Sequence, residues 1–310
     1  MTAQSSQPVF LAGPTASGKS AVALLLAERI GGEIIAVDSM QVYRGLDVGT
    51  AKPSRAEQEK IPHHLIDVAD LHESFDAARF CRLAEKAVAE IQARGRVPIF
   101  CGGTGFYCKA YLEGLGEAPP ANRKLRAELE ALPFADLLCE LAERDAETFA
   151  KIDQRNPRRV LRAVEVIRLT GKPFSAQRAD WQKEKTVIPR MFGLTRARAD
   201  LQQRIDQRVE EMFRRGLVPE TEKLLLRGLE KNQTATQAIG YRQVIAHLRG
   251  ETTLPETIEL VKIRTRQFAK RQLTWFRRQM HLRWISLAAD TAAETVASQI
   301  FDLIDNGKFH

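Results

Sequence analysis

The stretch PVFLAGPTASGKS occupies residues 8–20. A short apolar run, 8–12, leads into Gly13, Pro14, Thr15, Ala16, Ser17, Gly18, Lys19 and Ser20, which fit the P-loop spacing G-x-x-x-x-G-K-[ST]. Residues 21–30, rich in Ala and Leu and free of Pro, then read as a helix. Strand, glycine loop and helix start are the context the motif requires. Glycine opens backbone conformations that a Cβ forbids, so consecutive N–H groups can converge on one anion at the start of a helix. Lys19 adds a point charge, and the Ser20 hydroxyl can help ligate Mg²⁺. The loop therefore predicts a ligand with two or more phosphates.

Next outward, EIIAVD at 33–38 is an apolar run closed by an acid, as in a buried parallel strand. Asp38 would then stand at the carboxyl end of that strand, the edge where open α/β sheets bind ligands. It is either a turn or cap residue, which Asp-Ser favours, or a catalytic or metal-positioning carboxylate beside the P-loop. Residues 42–60 read as loop, with Lys52 solvated rather than a second phosphate contact. HHLIDV at 63–68 reads as a third, shorter strand. Adjacent histidines point to opposite faces of a strand, so His63 and His64 are read as structural.

Ser74 is expected to cap a helix over 75–94, stopped by Gly95. VPIFC at 97–101 is the next strand, and GGTG at 102–105 is a second glycine turn into a helix. That turn is either an ordinary tight turn or one that lets Thr104 approach a ligand. P-loop ATPases place a Mg²⁺-holding acid at the end of such a strand. Here the strand ends in Cys101 and Gly102, which leaves Asp38 as the well-placed strand-end acid.

From residue 114 the texture changes. Residues 121–185 are helical and highly charged, with no strand-like run, and are divided by Pro133, Pro157 and Gly171. The predicted fold is α/β, a P-loop NTPase-like parallel core flanked by helices. The core spans 1–116 and 188–310, and a helical insertion spans 117–187. Arg158 and Arg162 share a helix face, either solvated or anion-binding. PRMFGL at 189–194 reads as one more core strand. Residues 198–215 form a helix with Leu201, Ile205, Val209 and Met212 on one side. Arg204 and Arg208 lie one turn apart on another side, either on the surface or facing the P-loop, where they suit a diphosphate.

QAIGYR at 237–242 opens a further helix, and residues 255–280 form a long one. Between Leu260 and Arg283 this segment has eight Lys/Arg and no acid, as many charges as the net +8 of the whole chain. Arg266, Lys270 and Arg277 share one stripe, and Arg264, Arg271 and Arg278 another. Val261, Phe268, Trp275 and Leu282 form an apolar-aromatic stripe. Such a helix is either a solvated basic face or one covered by a phosphate backbone; a membrane-surface helix is less favoured. Residues 287–309 read as a strand end and a terminal helix.

The 310 residues suffice for an α/β core plus a second unit. No apolar run approaches membrane-spanning length, and MTAQSSQP at the start has neither the basic nor the apolar region of a signal peptide. Cys81, Cys101, Cys108 and Cys139 make no C-x-x-C pair, so neither a zinc site nor a disulfide framework is indicated. A cytoplasmic protein with reduced thiols is expected.

Together the motifs resemble those of the bacterial tRNA dimethylallyltransferases, also called tRNA isopentenyltransferases. The resemblance covers essentially the whole chain. It rests on GPTASGKS at 13–20, DSMQVYRGLDVGTAKP at 38–53, HHLIDV at 63–68, GGTGFY at 102–107, GYRQ at 240–243 and AKRQLTWFR at 269–277. It implies transfer of a dimethylallyl group from dimethylallyl diphosphate to N6 of the adenosine immediately 3′ of the anticodon, in tRNAs reading codons that begin with U. The P-loop, Gly13 to Ser20, and Arg208 would hold the diphosphate. Lys19 and Mg²⁺, with Ser20 as its protein ligand, would stabilise the leaving group. Asp38 would be the general base and Thr104 would position base and donor.

The family's tRNA contacts map onto Asp38, Ser39, Met40, Gln41 and Thr104; onto Arg126, Arg158, Arg159, Val160, Leu161 and Arg162; onto Gln237, Ala238, Ile239, Gly240, Tyr241 and Arg242; and onto Lys270, Arg271, Gln272, Leu273, Thr274, Trp275, Phe276 and Arg277. Arg126 enters through the resemblance alone. Ser20 stands where the family often has Thr. The implied partners are a tRNA anticodon stem-loop and dimethylallyl diphosphate, with no membrane and no obligate protein partner, the chain acting as a monomer.

Three rival readings stand beside this one. A small-molecule P-loop kinase explains residues 1–110 and leaves the basic helix idle. Prenyl transfer to a free adenine nucleotide is opposed by that helix and by the Arg158–Arg162 cluster. A nucleotide-switched nucleic-acid-binding protein has no need of the 38–41 stretch beside the P-loop.

Overall fold

In the computed structural model, which describes residues 7–177 and 190–306, the opening apolar run is a strand, β1 (Val9–Ala12), buried at every position. The chain continues through α1 (Lys19–Ile30), β2 (Gly32–Val37), α2 (Arg55–Lys60), β3 (His63–His64), α3 (Ala77–Ala93), β4 (Val97–Gly102) and α4 (Gly105–Glu113). The charged stretch forms α5 (Arg123–Glu130), α6 (Phe134–Arg144), α7 (Ala146–Lys151) and α8 (Pro157–Thr170). Then come β5 (Arg190–Arg196), α9 (Arg198–Arg214), α10 (Leu217–Leu226), α11 (Tyr241–Leu248), α12 (Leu254–Gln279), β6 (Arg283–Leu287) and α13 (Ala293–Asp305).

The six strands form one parallel sheet in the order β3-β2-β4-β1-β5-β6. A parallel sheet must be covered on both faces, which is why β1, residues 34–37 of β2 and the first half of β4 are apolar runs. One face packs Leu11, Ile34 and Ile99 under Val22 and Leu26 of α1 and Val296 and Ile300 of α13. On β1 and β4, Phe10 and Phe100 stack with ring centroids 4.5 Å apart. The register matters for function. Ala12 pairs with Gly102 and with Gly193, and Val37 also pairs with Gly102. The carboxyl ends of β1, β2 and β4 therefore finish level, and their loops share one rim of the sheet.

Several local expectations are corrected. Residues 42–60 are not all loop: Ser54 and Glu57 form a reciprocal capping box that starts α2. β3 stops after two residues because Leu65 and Asp67 take φ of 64° and 55°, which no strand can hold. α3 begins at Ala77 under Asp76, whose carboxylate accepts the Arg79 N–H, so Ser74 is not the cap. Lys52 is buried rather than solvated, its Nζ 2.6 Å from Asp47 and from Asp67 and 3.0 Å from the Tyr43 carbonyl.

α12 is less bare than its sequence suggests. Lys262 pairs with Glu210 at 2.8 Å and Glu259 at 2.7 Å, and Arg266 pairs with Asp206. Acids on α9, remote in sequence, supply most of this. No helix among the described residues is long and apolar enough to cross a membrane.

The chain divides into two compact units, Ala110–Glu184 and the remainder. The smaller unit opens at Ala110, within α4, rather than at the expected residue 117. The expected join at 187–188, Pro189 at the start of the expected strand and residues 307–309 of the expected terminal helix lie outside the described residues. The small unit has its own core, built from Leu129, Leu137, Leu141, Val160, Val164 and Ile167.

Candidate active site

The P-loop turns through Ala16 and Gly18, at φ 61° and 99°, into the first turn of α1. The N–H groups of that turn have no intrahelical acceptor, which suits an anion. The loop is held by side chains from three other elements. Arg204 of α9 donates through Nε to the Ala16 carbonyl at 3.2 Å. Arg196, at the end of β5, donates to the Ser17 carbonyl at 3.1 Å and is fixed by Asp200 and by the Ala288 carbonyl, both at 2.9 Å. Each arginine thus satisfies a backbone carbonyl of the loop. Gln272 of α12 accepts the Thr15 N–H at 2.9 Å.

Lys19 is buried, with Nζ donating to the Pro14 carbonyl at 2.6 Å. Burial lowers its pKa to about 8; Arg208 adds to the shift, while Cys101 and Asp38 oppose it. The arginine pair faces the P-loop, since Arg204 and Arg208 line the same cavity as Lys19. Burial also draws Arg208 down, against the pull of Asp38.

Asp38 makes the bonds of a turn residue and also faces the cavity. Its Oδ1 accepts the N–H groups of Met40 at 2.8 Å and Gln41 at 3.2 Å, as a turn residue does. No hydrogen bond to its Oδ2 is formed among the described residues, and Asp38 lines the cavity. Thr104 ties the two loop ends together: its N–H donates to the Val37 carbonyl at 3.1 Å and its Oγ1 accepts the Ser39 N–H at 3.2 Å. The glycines around it are required by close approach. A Cβ on Gly103 would sit 2.2 Å from the Gln272 amide, and one on Gly105 2.2 Å from the Trp275 ring. Cys101 does not replace the missing acid, because burial pushes its thiol up to about 11 despite Lys19.

Two cavities meet here. The first, about 550 Å³, is lined by Lys19, Ser20, Asp38, Arg204 and Arg208 among others. The second, about 320 Å³, has apolar walls from Met40, Val209, Met212, Ile239, Val261 and Phe268. They share Thr15, Asp38, Thr50, Arg208 and Phe268. A cationic chamber thus opens into an apolar one, with a carboxylate at the junction. Ser20 is exposed in the first chamber. No cluster of three His, Cys, Asp or Glu that could cage a metal occurs among the described residues. A Mg²⁺ held by one hydroxyl and by phosphate oxygens needs no such cluster, so Ser20 fits that role.

The remaining expected residues are sorted by burial. Gln237 and Arg242 are exposed and bonded to each other at 3.0 Å; Ile239 lines the apolar chamber. Ala238 and Gly240 are buried. Tyr241 is buried and bonded, its hydroxyl donating to Glu220 at 2.5 Å and accepting the Gly49 N–H at 3.1 Å. It holds the 48–50 loop, whose Thr50 lines both chambers. On α12, Lys270, Arg271, Thr274 and Arg277 are exposed, Leu273 and Trp275 half-buried, and Gln272 and Phe276 buried.

In the small unit Arg158 and Arg159 are exposed, Leu161 is half-buried and Val160 is in the core. Arg126 and Arg162 are both bonded to Glu165. Val160, Tyr241 and Phe276 are fully buried and present no side-chain surface. Sequence reasoning missed Arg196 and Glu220. The spacing of Arg196 and Asp200, one helical turn across a strand end, was the available signal for the first.

Residues 41–279 match the family model described as IPP transferase. The tRNA dimethylallyltransferase 1 of Trichlorobacter lovleyi is 45% identical, over 94% of this chain and 98% of its own. The tRNA dimethylallyltransferase of Anoxybacillus flavithermus is 42% identical, over 97% of each. Among solved structures, the full-length tRNA isopentenylpyrophosphate transferase of Bacillus halodurans aligns with TM-score 0.71 and 40% identity, covering 97% of this chain and 96% of that one. A eukaryotic dimethylallyltransferase acting on tRNA aligns with TM-score 0.77 and 28% identity, covering 97% and 80%.

Proposed function

The chain belongs to the IPP transferase family, and from that premise we propose that it transfers a dimethylallyl group from dimethylallyl diphosphate to N6 of the adenosine 3′ of the anticodon in tRNAs reading codons that begin with U. The observation that carries this reading is the junction of the two chambers. The cationic one suits a diphosphate, the apolar one suits a short branched hydrocarbon, and Asp38 lies where they meet.

The chemistry follows from that arrangement. The diphosphate lies on the α1 N-terminus against Lys19 and Arg208. Ser20 would hold Mg²⁺, which would supply further neutralisation of that charge. The adenosine leaves the anticodon-loop stack to enter the site, which costs less in a loop than in a duplex. N6 attacks the allylic carbon while the carbon–oxygen bond breaks, and the electron pair leaves with the diphosphate. An exocyclic amine is a poor acid, so its proton passes to Asp38 as the new bond forms. Thr104, bonded beside Asp38, keeps that carboxylate aligned.

Label transfer tests the reading. The protein is incubated with Mg²⁺, dimethylallyl diphosphate labelled in the prenyl carbons, and unmodified tRNA with three consecutive adenosines 3′ of the anticodon, with AMP and ATP competing. Label should enter the tRNA alone, and Asp38→Ala should lose it. Label in free nucleotide would favour the nucleotide acceptor, and ATP turnover with no label anywhere would favour the kinase.

A further inference from the structure

We propose that Gln272 is a positioning residue that locks the phosphate-binding loop to the turn that aligns the general base; this rests on the prenyl-transfer reading above. The bridge is a single buried amide with two bonds. Gln272 Oε1 accepts the Thr15 N–H at 2.9 Å, and Gln272 Nε2 donates to the Gly103 carbonyl at 2.9 Å. Thr15 follows β1 and Gly103 follows β4, so the amide ties together two loops at the sheet rim. The residue sits on α12 between exposed positions, Arg271 on one side and Thr274 farther on, while its own side chain is buried.

The chemistry of the bridge explains the residue type. One loop offers an N–H and the other a C=O. A neutral primary amide presents both an acceptor and a donor at one tip; a carboxylate offers acceptors only, an ammonium donors only. Asn would carry the same group one methylene short. The amide packs closely on Gly103, where a Cβ would lie 2.2 Å from Nε2.

The consequences run in two directions. Thr15 is flanked by Pro14, whose carbonyl receives Lys19, and by Ala16, which is held in the left-handed region and packs on the α9–α12 cluster. Gly103 precedes Thr104, which receives the Ser39 N–H beside Asp38. Loss of the bridge frees the phosphate loop and the base-aligning turn from each other. Donor binding and turnover then suffer together, while RNA affinity, set by exposed cations, does not.

The test is Gln272→Met, which keeps length and shape and removes both bonds. Binding of pyrophosphate with Mg²⁺ and of tRNA is measured separately by calorimetry, beside steady-state kinetics. The expected result is a pyrophosphate affinity lower by about tenfold, the scale of one to two net hydrogen bonds, with kcat lowered and tRNA affinity within about twofold of wild type. If Gln272→Met does not fold, Gln272→Asn takes its place with the same expectation. Unchanged pyrophosphate affinity with weakened tRNA binding would overturn the proposal and make Gln272 an RNA contact. If wild-type protein transfers no label to tRNA yet the pyrophosphate contrast holds, the functional reading fails and the positioning role stands.

Discussion

Two carboxylates, Glu165 in the small helical unit and Asp38 at the rim of the sheet, show how differently this chain treats a charge. Glu165 is fully buried and saturated: it accepts two bonds from Arg126 at 3.0 Å, one from Arg162 at 2.6 Å and the Asn122 N–H at 2.7 Å. Four bonds use the four acceptor sites of a carboxylate. Burial alone would push its pKa up, but these partners prevail and hold it below its ordinary value. Asp38 spends Oδ1 on two backbone N–H groups and makes no ion pair within 4 Å among the described residues. One charge is consumed by the fold and the other is left over. The leftover charge is where chemistry can occur.

Exchanging an oxygen for an amide at each site should separate the two cases. Asp38→Asn should cut turnover by about 10²–10⁴-fold, the range for losing a general base. Its thermal midpoint should barely move, because Oδ2 has no internal partner to lose. Glu165→Gln should do the reverse. Leaving Arg126 and Arg162 around a neutral group should cost up to about 3 kcal/mol, at the low end for a broken buried pair because both arginines are partly exposed. Hydrogen exchange across α5 and α8 reads this loss. Since the folded pKa of Glu165 is lowered, its stabilisation is present above the ordinary carboxylate range and is lost as pH falls through the folded value. A mutant pair in which both proteins lose stability alike would erase the distinction.

The same contrast marks what could be read from sequence. The P-loop, β1, β2, β4 and the place of Asp38 were legible because a spaced motif and apolar runs are local signals. The end of β3 was not, because two non-glycine residues turn into the left-handed region where an apolar pattern continues. The state of Lys52 depends on Asp47 and Asp67, brought together by a loop without periodicity. The Gln272 bridge spans 257 positions in sequence, and no local pattern announces it. The basic stripe of α12 was read from spacing, but its partial neutralisation by Asp206 and Glu210 needed the packing of α9 against α12.

Lys19 sharpens the comparison through pH. Its ordinary value of 10.5 falls to about 8 on burial, so folding pays for the charged form below about pH 8 and is relieved as pH rises from there. A bound diphosphate favours the charged form. The free protein should lose that proton above about pH 8, and affinity for dimethylallyl diphosphate should then fall by up to about tenfold per pH unit. Calorimetry in buffers of different ionisation enthalpy should show about one proton taken up on binding near pH 9 and almost none near pH 7. A saturated lysine would show neither.

The smallest expected effect compares two lysines on one helix. Lys262 is paired with Glu210 and Glu259, and its side chain is 11% exposed. Lys270 is exposed and has no acidic partner within 4 Å among the described residues. If charge left over by the fold is what meets RNA, only Lys270 can release a counterion from a phosphate. Lys270→Ala should therefore reduce the slope of log tRNA affinity against log salt by about 0.7–0.9, the value for one phosphate contact. Lys262→Ala should leave the slope unchanged while loosening α12 from α9, a change visible in thermal unfolding. Equal slopes for the two variants would mean that pairing within the fold does not decide which cations on this helix are available to a polyanion.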